Sequence, residues 1–247
     1  MTAIVAFVMA CVGAGLGFRC LVRALDSRGA TAYRWLLTAA VAIGSGIWTM
    51  HLIAILGFGV DGTPVRFDIP LTLLSLLVAV VVVTAGVFAV GRDRSRTRGV
   101  VLGGILVGIG IAGMHIVGMF AAEIHGTLSY DPVPMVVSVV IAVGVATLAL
   151  MVAFLTTSFR GTAFAALLMG FAATAAEYTG FIGLQLDVTP GTSVLPGASA
   201  EEFIFPFIVV FGSFLFLSSA FVALSPIRHG GVAAATTPVA AQGRGSN

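Results

Sequence analysis

Seven stretches of the chain are almost purely apolar, and each is long enough to cross a bilayer. They lie at residues 2–24, 32–58, 69–91, 99–123, 134–157, 162–184 and 202–224. A transmembrane helix needs about 20 consecutive apolar residues. The connections between the stretches are short and rich in Gly, Pro, Ser and charged residues, which is typical of turns. The pattern therefore predicts an all-α integral membrane protein of seven transmembrane helices.

One helical domain is expected over residues 1–225. From residue 230 onward the chain consists mostly of Ala, Thr, Gly and Pro. Such a segment cannot bury enough apolar surface to fold. We therefore expect a disordered cytoplasmic tail over residues 226–247 and no second domain.

The composition supports a membrane location. Hydrophobic residues make up 59% of the chain and charged residues only 9%, whereas an ordinary soluble domain carries about 25% charged residues. The net charge of +2 and the lack of a long basic run argue against nucleic-acid binding. The lipid bilayer is the expected surrounding.

The arginines predict the orientation. The chain has no lysine, and every arginine except Arg66 lies in or beside the first, third or fifth connection, or after the last helix. The positive-inside rule assigns that side to the cytoplasm. We expect the N-terminus outside and the C-terminus in the cytoplasm.

The second, fourth and sixth helices share a repeated pattern. His51, His115 and Glu177 occupy equivalent positions, 64 and 62 residues apart, which is the length of one helix pair. A glycine precedes each of them by seven positions, and a small residue follows each by three. Seven positions are close to two helical turns, so each glycine shares the face of its polar residue. In lipid, small residues on such a face let helices approach closely.

The three polar residues are expected at one depth. Each lies seven or eight residues inside the outer end of its predicted helix, or about 10–12 Å along the axis. Isolated ionisable side chains are costly within lipid and are functional candidates by default. We therefore expect them to form one shared site in the outer leaflet, open toward the outer face.

The residue types at these positions suit a metal ion. His115 and Met119 are four positions apart on one helix face, so an imidazole and a thioether can reach the same ion. This pair of ligands suits copper, and the thioether favours Cu(I). His51 and Glu177 would complete the coordination. Core packing is the ordinary alternative for a methionine.

Three further residues are weaker ligand candidates. Met50 and Met114 directly precede their histidines and are therefore turned about 100° away from them. They are expected at the pocket rim or in the core. Cys11, on the first helix at a similar depth, would strengthen a copper site as a thiolate, or it is a small apolar filler.

Glu177 leaves several roles open. It can bind a metal, pair with an imidazolium as the start of a proton relay, or serve as a protonated hydrogen-bond donor between helices. A carboxylate where the other two repeats carry an imidazole favours a hard-ligand or proton role over a pure copper site.

The repeated Met-His-x-x-Gly-Met pattern, most complete at 114–119, resembles the MHYT domain of bacterial membrane sensor proteins. The resemblance covers the chain except its tail. It implies a non-enzymatic sensory module of the bacterial cytoplasmic (inner) membrane, of a kind that is often fused to a cytoplasmic output domain. Since we expect no such domain here, any signal is expected to leave through a separate cytoplasmic signalling partner. It also implies a copper site formed by the motif Met and His residues, and a diatomic gas, a redox change or a metal as the signal.

This chain departs from the motif in two of its three copies. Ile55 replaces a methionine in the first copy, and Ala176 and Glu177 replace Met and His in the third. A site of three histidines is therefore absent. Zinc is an alternative metal to copper.

Two other functions use the same residues. One is a transporter or channel for protons or metal ions, although the inner halves of the helices are almost purely apolar. The other is a haem protein with His51 and His115 as axial ligands, in which Glu177 would crowd the porphyrin with charge. A hydrolase is not expected, since no Ser/His/Asp set or two-metal carboxylate set is present.

Overall fold

A computed structural model of the protein describes residues 1–57, 65–92, 96–156, 158–188 and 195–224. The predicted tail lies outside the described residues. Within them, seven helices are long and apolar enough to span a membrane, which confirms the predicted fold class. The orientation remains a prediction. The helices are α1 Thr2–Leu25, α2 Gly29–Leu56, α3 Ile69–Arg92, α4 Arg96–Phe120, α5 Pro132–Leu155, α6 Phe159–Ile182 and α7 Phe205–Leu224.

The even-numbered helices end two or three residues earlier than predicted. The predicted ends of the fourth and sixth helices lie in short strands, β2 and β4, which the sequence pattern did not separate from the helices. The predicted seventh helix begins at residue 202, within a π-helical turn, Ala200–Ile204, that precedes α7. The strands are β1 Arg66–Phe67, β2 Ala122–Glu123, β3 Gly126–Tyr130, β4 Leu184–Val188 and β5 Ala198–Ser199.

The first six helices form a closed ring of three pairs. Helices α1 and α2, α3 and α4, and α5 and α6 pack as pairs, and each even helix also packs against the odd helix of the next pair, with α6 returning to α1. The three even helices contact one another. Helix α7 packs against α1 and α2 and so breaks the threefold pattern.

The glycines that precede the polar residues by seven positions lie where one pair meets the next. An added Cβ at any of them would come within about 3 Å of the neighbouring odd helix. The three contacts are Gly44 with Val80 of α3, Gly108 with Val143 of α5, and Gly170 with Cys11 of α1. Close approach of the helices therefore requires a glycine at each junction between pairs.

A strand cap, made of β1 to β5, joins the connections at one end of the ring. Strand β1 pairs antiparallel with both β2 and β5, so one strand from each of three connections enters a single sheet. Strand β3 pairs with β4. Arg66 lies opposite Glu123 in the register, and its guanidinium donates a hydrogen bond to the Gly197 carbonyl at 2.8 Å.

Candidate functional site

The structure brings His51, His115 and Glu177 together. Each stands five residues before the last residue of its helix, α2, α4 or α6. The predicted common level is therefore present, about 7.5 Å from the helix ends at 1.5 Å per residue. This distance is shorter than expected because the helices stop sooner. We call these three residues the polar cluster.

The Glu177 carboxylate bridges the two imidazoles. Its Oε1 lies 2.6 Å from Nδ1 of His51, in a buried hydrogen bond. Its Oε2 lies 3.0 Å from Nδ1 of His115, although the angles there are not those of a hydrogen bond. The two imidazole rings are nearly perpendicular, with their centroids 5.5 Å apart. One carboxylate therefore contacts both histidines, with a hydrogen bond to His51 and a close approach to His115.

The polar cluster is closed to solvent. His51, His115 and Glu177 are 0%, 3% and 1% exposed. The expectation of a site open toward the outer face is therefore wrong. Strands β2 and β4 start two residues after α4 and α6 end, and they pair with β1 and β3 in the strand cap at this end of the ring.

Glycines three positions after the polar residues make room for the imidazoles. A Cβ on Gly118 of α4 would overlap Nε2 of His51, and a Cβ on Gly180 of α6 would lie 2.5 Å from Nε2 of His115. Each glycine thus receives the ring of the preceding even helix. The small residue in the repeat accommodates a side chain, rather than only allowing two backbones to approach.

Both imidazoles retain unused hydrogen-bonding capacity. Among the described residues, Nε2 of His51, Nε2 of His115 and Oε2 of Glu177 have no hydrogen-bond partner. Buried polar atoms are normally satisfied, so unpaired ones fit a further partner such as a metal ion or an ordered water. One ligand atom from each residue can be chosen so that all three lie within 4.8 Å of one another.

The donor set fits a transition-metal ion. Two imidazoles and one carboxylate occur together in zinc sites and in non-haem iron sites, and imidazole also suits copper. A haem fits poorly, because the Glu177 carboxylate lies between the two histidines that would have to be its axial ligands.

The predicted methionine ligands all lie in the hydrophobic core. Met50 and Met114 are 0% exposed and Met119 is 2% exposed. Met119 lies on the His115 face of α4, one turn nearer the strand cap. A part in the site for any of the three remains a prediction.

Cys11 is not part of the polar cluster. An added Cβ at Gly170 would meet the Cys11 Sγ, and Gly170 precedes Glu177 by two helical turns, about 10 Å. The expected similar depth is therefore wrong. Cys11 stands nine residues after the start of α1, whereas the cluster residues stand five residues from their helix ends.

Trp48 of α2 links the helix that carries His51 to α3 and α7, through contacts that include Ser75, a residue that the sequence analysis did not identify. Trp48, one turn before His51, donates a hydrogen bond from Nε1 to the Ser75 hydroxyl of α3 at 2.9 Å. Its ring contacts Phe207 and Phe211 of α7 edge-on, at centroid distances of 5.8 and 5.4 Å. The signal for Ser75 was a second repeat: Ser75 and Ser138 each follow an aspartate by seven positions, and both are buried.

Comparison with known proteins places these helices in a signalling context. The MHYT repeat, described as "Bacterial signalling protein N terminal repeat", matches residues 44–103 and 108–166. Each matched segment begins at a glycine seven positions before a cluster histidine. Together the two segments include all of α3 and α5, the C-terminal part of α2, α4 except for residues 104–107, and the start of α6.

Several curated relatives are signalling proteins. The chain is 38% identical over 164 residues to the bifunctional diguanylate cyclase/cyclic di-GMP phosphodiesterase MucR of Pseudomonas aeruginosa, which covers 64% of this chain and 24% of MucR. It is 33% identical over 203 residues to the cyclic di-GMP phosphodiesterase NbdA of the same organism, covering 80% of this chain and 26% of NbdA. The signaling protein YkoW of Bacillus subtilis is 26% identical over 124 residues, covering 49% of this chain and 15% of YkoW.

The chain spans about a quarter or less of the length of these curated relatives. No solved structure matches it.

Proposed function

The chain belongs to the MHYT family of bacterial signalling proteins, and from this premise we propose that it is a membrane sensor module whose receptor site is the polar cluster. The observation that carries the proposal is the convergence of His51, His115 and Glu177 from three helices on one buried point. Ionisable side chains within a membrane are costly and are retained for function. The proposed module binds a ligand and performs no catalysis itself.

The proposed ligand-binding group is a transition-metal ion. His51 and His115 would hold it through imidazole nitrogens and Glu177 through a carboxylate oxygen, with copper as the first ion to test and zinc as the alternative. When bound, the metal would supply an open coordination position for a diatomic gas, or a redox change, as the signal. The protein's own residues fix the ligands and exclude water, since all three are buried.

The proposed output leaves the ring through α7. Trp48 lies one turn from His51 on α2 and contacts Phe207 and Phe211. At the other end of α7, the Arg23 guanidinium of α1 donates a hydrogen bond to the Val222 carbonyl at 3.0 Å. A shift of His51 would therefore be transmitted to α7 through Trp48. The names of the relatives suggest a cytoplasmic partner that makes or degrades cyclic di-GMP.

A transporter or channel is less well supported. A pathway needs polar groups that face a continuous route across the membrane. Ser45 and Thr49, the buried hydroxyls of α2 nearest the cluster in sequence, instead donate hydrogen bonds to carbonyls of their own helix.

The metal content of the purified protein tests the proposal. We expect near-stoichiometric metal in the wild-type protein and its loss in a His51→Ala/His115→Ala double variant. His125→Ala, which changes a histidine outside the polar cluster, is the matched control and should retain the metal. Absence of bound metal after loading with Cu(I), Cu(II) and Zn(II) would contradict the metal site.

A proton-responsive cluster is the second candidate, favoured by the 2.6 Å hydrogen bond between His51 and Glu177. It predicts a protein that binds no metal but whose histidine spectra change with pH. Nuclear magnetic resonance of ring-labelled histidine would detect that change.

A further inference from the structure

We propose that a groove between α1, α6 and α7 binds one anionic phospholipid, with its head group at Arg19 and one acyl chain along α1. The groove has a volume of about 440 Å³. Binding sites for small molecules typically measure about 300–1,000 Å³. The proposal concerns a different part of the molecule from the polar cluster and does not depend on the proposed function.

The groove exists because α7 stands outside the ring. Helix α7 packs on α1 and α2. Between α6 and α7, one side of α1 is left as the floor of an open trough. Val8 and Leu167 on its walls are 48% and 50% exposed, whereas Leu16 and Ala166 deeper in it are 3% and 5% exposed.

The groove has the length of an acyl chain within one leaflet. The α1 residues that line it run from Phe7 to Arg19, a rise of about 18 Å at 1.5 Å per residue. Half of a typical hydrocarbon core is about 15 Å thick. Along this length the lining side chains are almost all apolar. The groove therefore suits an extended acyl chain better than a small polar molecule.

The positive charge is confined to one end of the groove. Arg19 is the only charged residue among the described residues that line it. Its guanidinium carbon lies 5.8 Å from the ring centroid of Phe159, the first residue of α6. The positive end of the α6 dipole and exposed Arg160 are therefore close by. An anionic group is the complementary ligand for this end.

One polar atom inside the groove is also unsatisfied. The Ser219 hydroxyl of α7 lines the groove and is buried without a hydrogen-bond partner among the described residues. It lies one turn before Val222, which lines the same end. A glycerol or phosphate oxygen of a lipid would satisfy it. A free phosphate ion would leave the apolar length unused, so a phospholipid is the better occupant.

Native mass spectrometry of the full chain, reconstituted in nanodiscs of equal parts phosphatidylglycerol and phosphatidylcholine, tests the proposal. We expect one retained lipid per chain, enriched in phosphatidylglycerol by about fivefold, which corresponds to about 1 kcal/mol for one cation near an anionic lipid. Arg19→Gln should reduce the enrichment to that of the bulk lipid, and Arg19→Lys should retain most of it. Arg34→Gln removes an exposed arginine that does not line the groove, and it should behave as the wild type does.

A second variant separates the acyl chain from the head group. Ala163→Leu places a larger side chain in the groove without changing its charge, and it should reduce the retained lipid of either class. If Ala163→Leu retains the lipid while Arg19→Gln loses it, the acyl groove is wrong and only a surface anion contact remains. Equal enrichment in the wild type and in Arg19→Gln would overturn the proposal, as would retention of no lipid at all.

Discussion

Replacement of Gly180 by alanine tests the reasoning about the polar cluster most directly. Gly180 lies three positions after Glu177 on α6, where it receives the ring of His115. An added methyl carbon would lie 2.5 Å from Nε2 and 3.1 Å from Cε1 of that ring. Ordinary van der Waals contact begins at about 3.4 Å. The ring must therefore move by about 0.9 Å, or the helices must separate.

The surroundings of His115 make that movement costly. Its Nδ1 lies 3.0 Å from the Glu177 carboxylate, its ring centroid lies 5.5 Å from that of His51 and 5.7 Å from that of Phe181, and only 3% of the residue is exposed. Overpacking of a filled core costs about 1–3 kcal/mol. Alanine also gains about 0.5–1 kcal/mol over glycine in a helix, so the net loss of stability is smaller than the clash alone.

A matched control removes the helix-propensity effect. Gly144 of α5 has nothing within 4 Å of an added Cβ. Gly144→Ala should therefore gain helix propensity without a steric clash. The difference in unfolding free energy between the two variants then measures the cost of the clash at Gly180. We expect Gly180→Ala to be less stable than Gly144→Ala by about 1–3 kcal/mol. Reversible unfolding in mixed micelles measures this difference.

Metal titration of the same two variants provides the functional part of the test. We expect Gly180→Ala to bind the metal about tenfold more weakly or worse, because its His115 nitrogen is displaced, and Gly144→Ala to bind as the wild type does. If Gly180→Ala unfolds like Gly144→Ala and binds metal normally, the glycine does not position the imidazole and our reasoning is refuted.

Three further predictions concern other contacts. Glu177→Gln keeps the shape of the side chain but removes its charge; metal should be lost in calorimetric titration, and the protein should lose about 1–3 kcal/mol of stability. Trp48→Phe keeps the packing on α7 but removes the hydrogen bond to Ser75, at a cost of about 0.5–1.5 kcal/mol. Ser75→Ala should lower the stability by at least as much. In a double-mutant cycle, the effects of Trp48→Phe and Ser75→Ala on stability should not be additive. Arg66→Ala removes the bond to the Gly197 carbonyl and should speed hydrogen exchange in β1 and β5, as read by mass spectrometry; unchanged exchange would show that the strand cap does not depend on it.

The helices could be predicted from the sequence because lipid imposes a simple requirement. Every backbone polar group within the bilayer must be paired internally, so a long apolar run forms a helix. The same argument fails at the helix ends, because short apolar segments suit helices and strands equally well. Ala122, Glu123 and Leu184 therefore fall within predicted helices but lie in strands β2 and β4. Their pairing partners lie in distant connections, which a local pattern cannot reveal.

The composition of the site could be predicted from the repeat, but its closure could not. Nearly equal spacing of His51, His115 and Glu177 on parallel helices indicated one level, and the structure brings them together. Cys11 was misplaced because the depth of a residue on an antiparallel neighbour depends on where that helix starts. The closed cap depends on long-range strand pairing, and the contact of Trp48 with α7 depends on the place that α7 takes outside the ring.

In the proposed sensor, the position of α7 would decide which residue of the polar cluster is coupled to α7. In the six-helix ring, α2, α4 and α6 occupy equivalent positions. A structural change at the polar cluster would therefore affect the three helices equally. Helix α7 removes this equivalence, because it packs on α1 and α2. Among the described residues, α2 is the cluster helix that packs extensively on α7, and Trp48, one turn from His51, makes two of the aromatic contacts. His51 is also the histidine with the shorter contact to Glu177. A ligand that competes for Glu177 would therefore weaken the His51 contact and act on α2, a helix on which α7 packs.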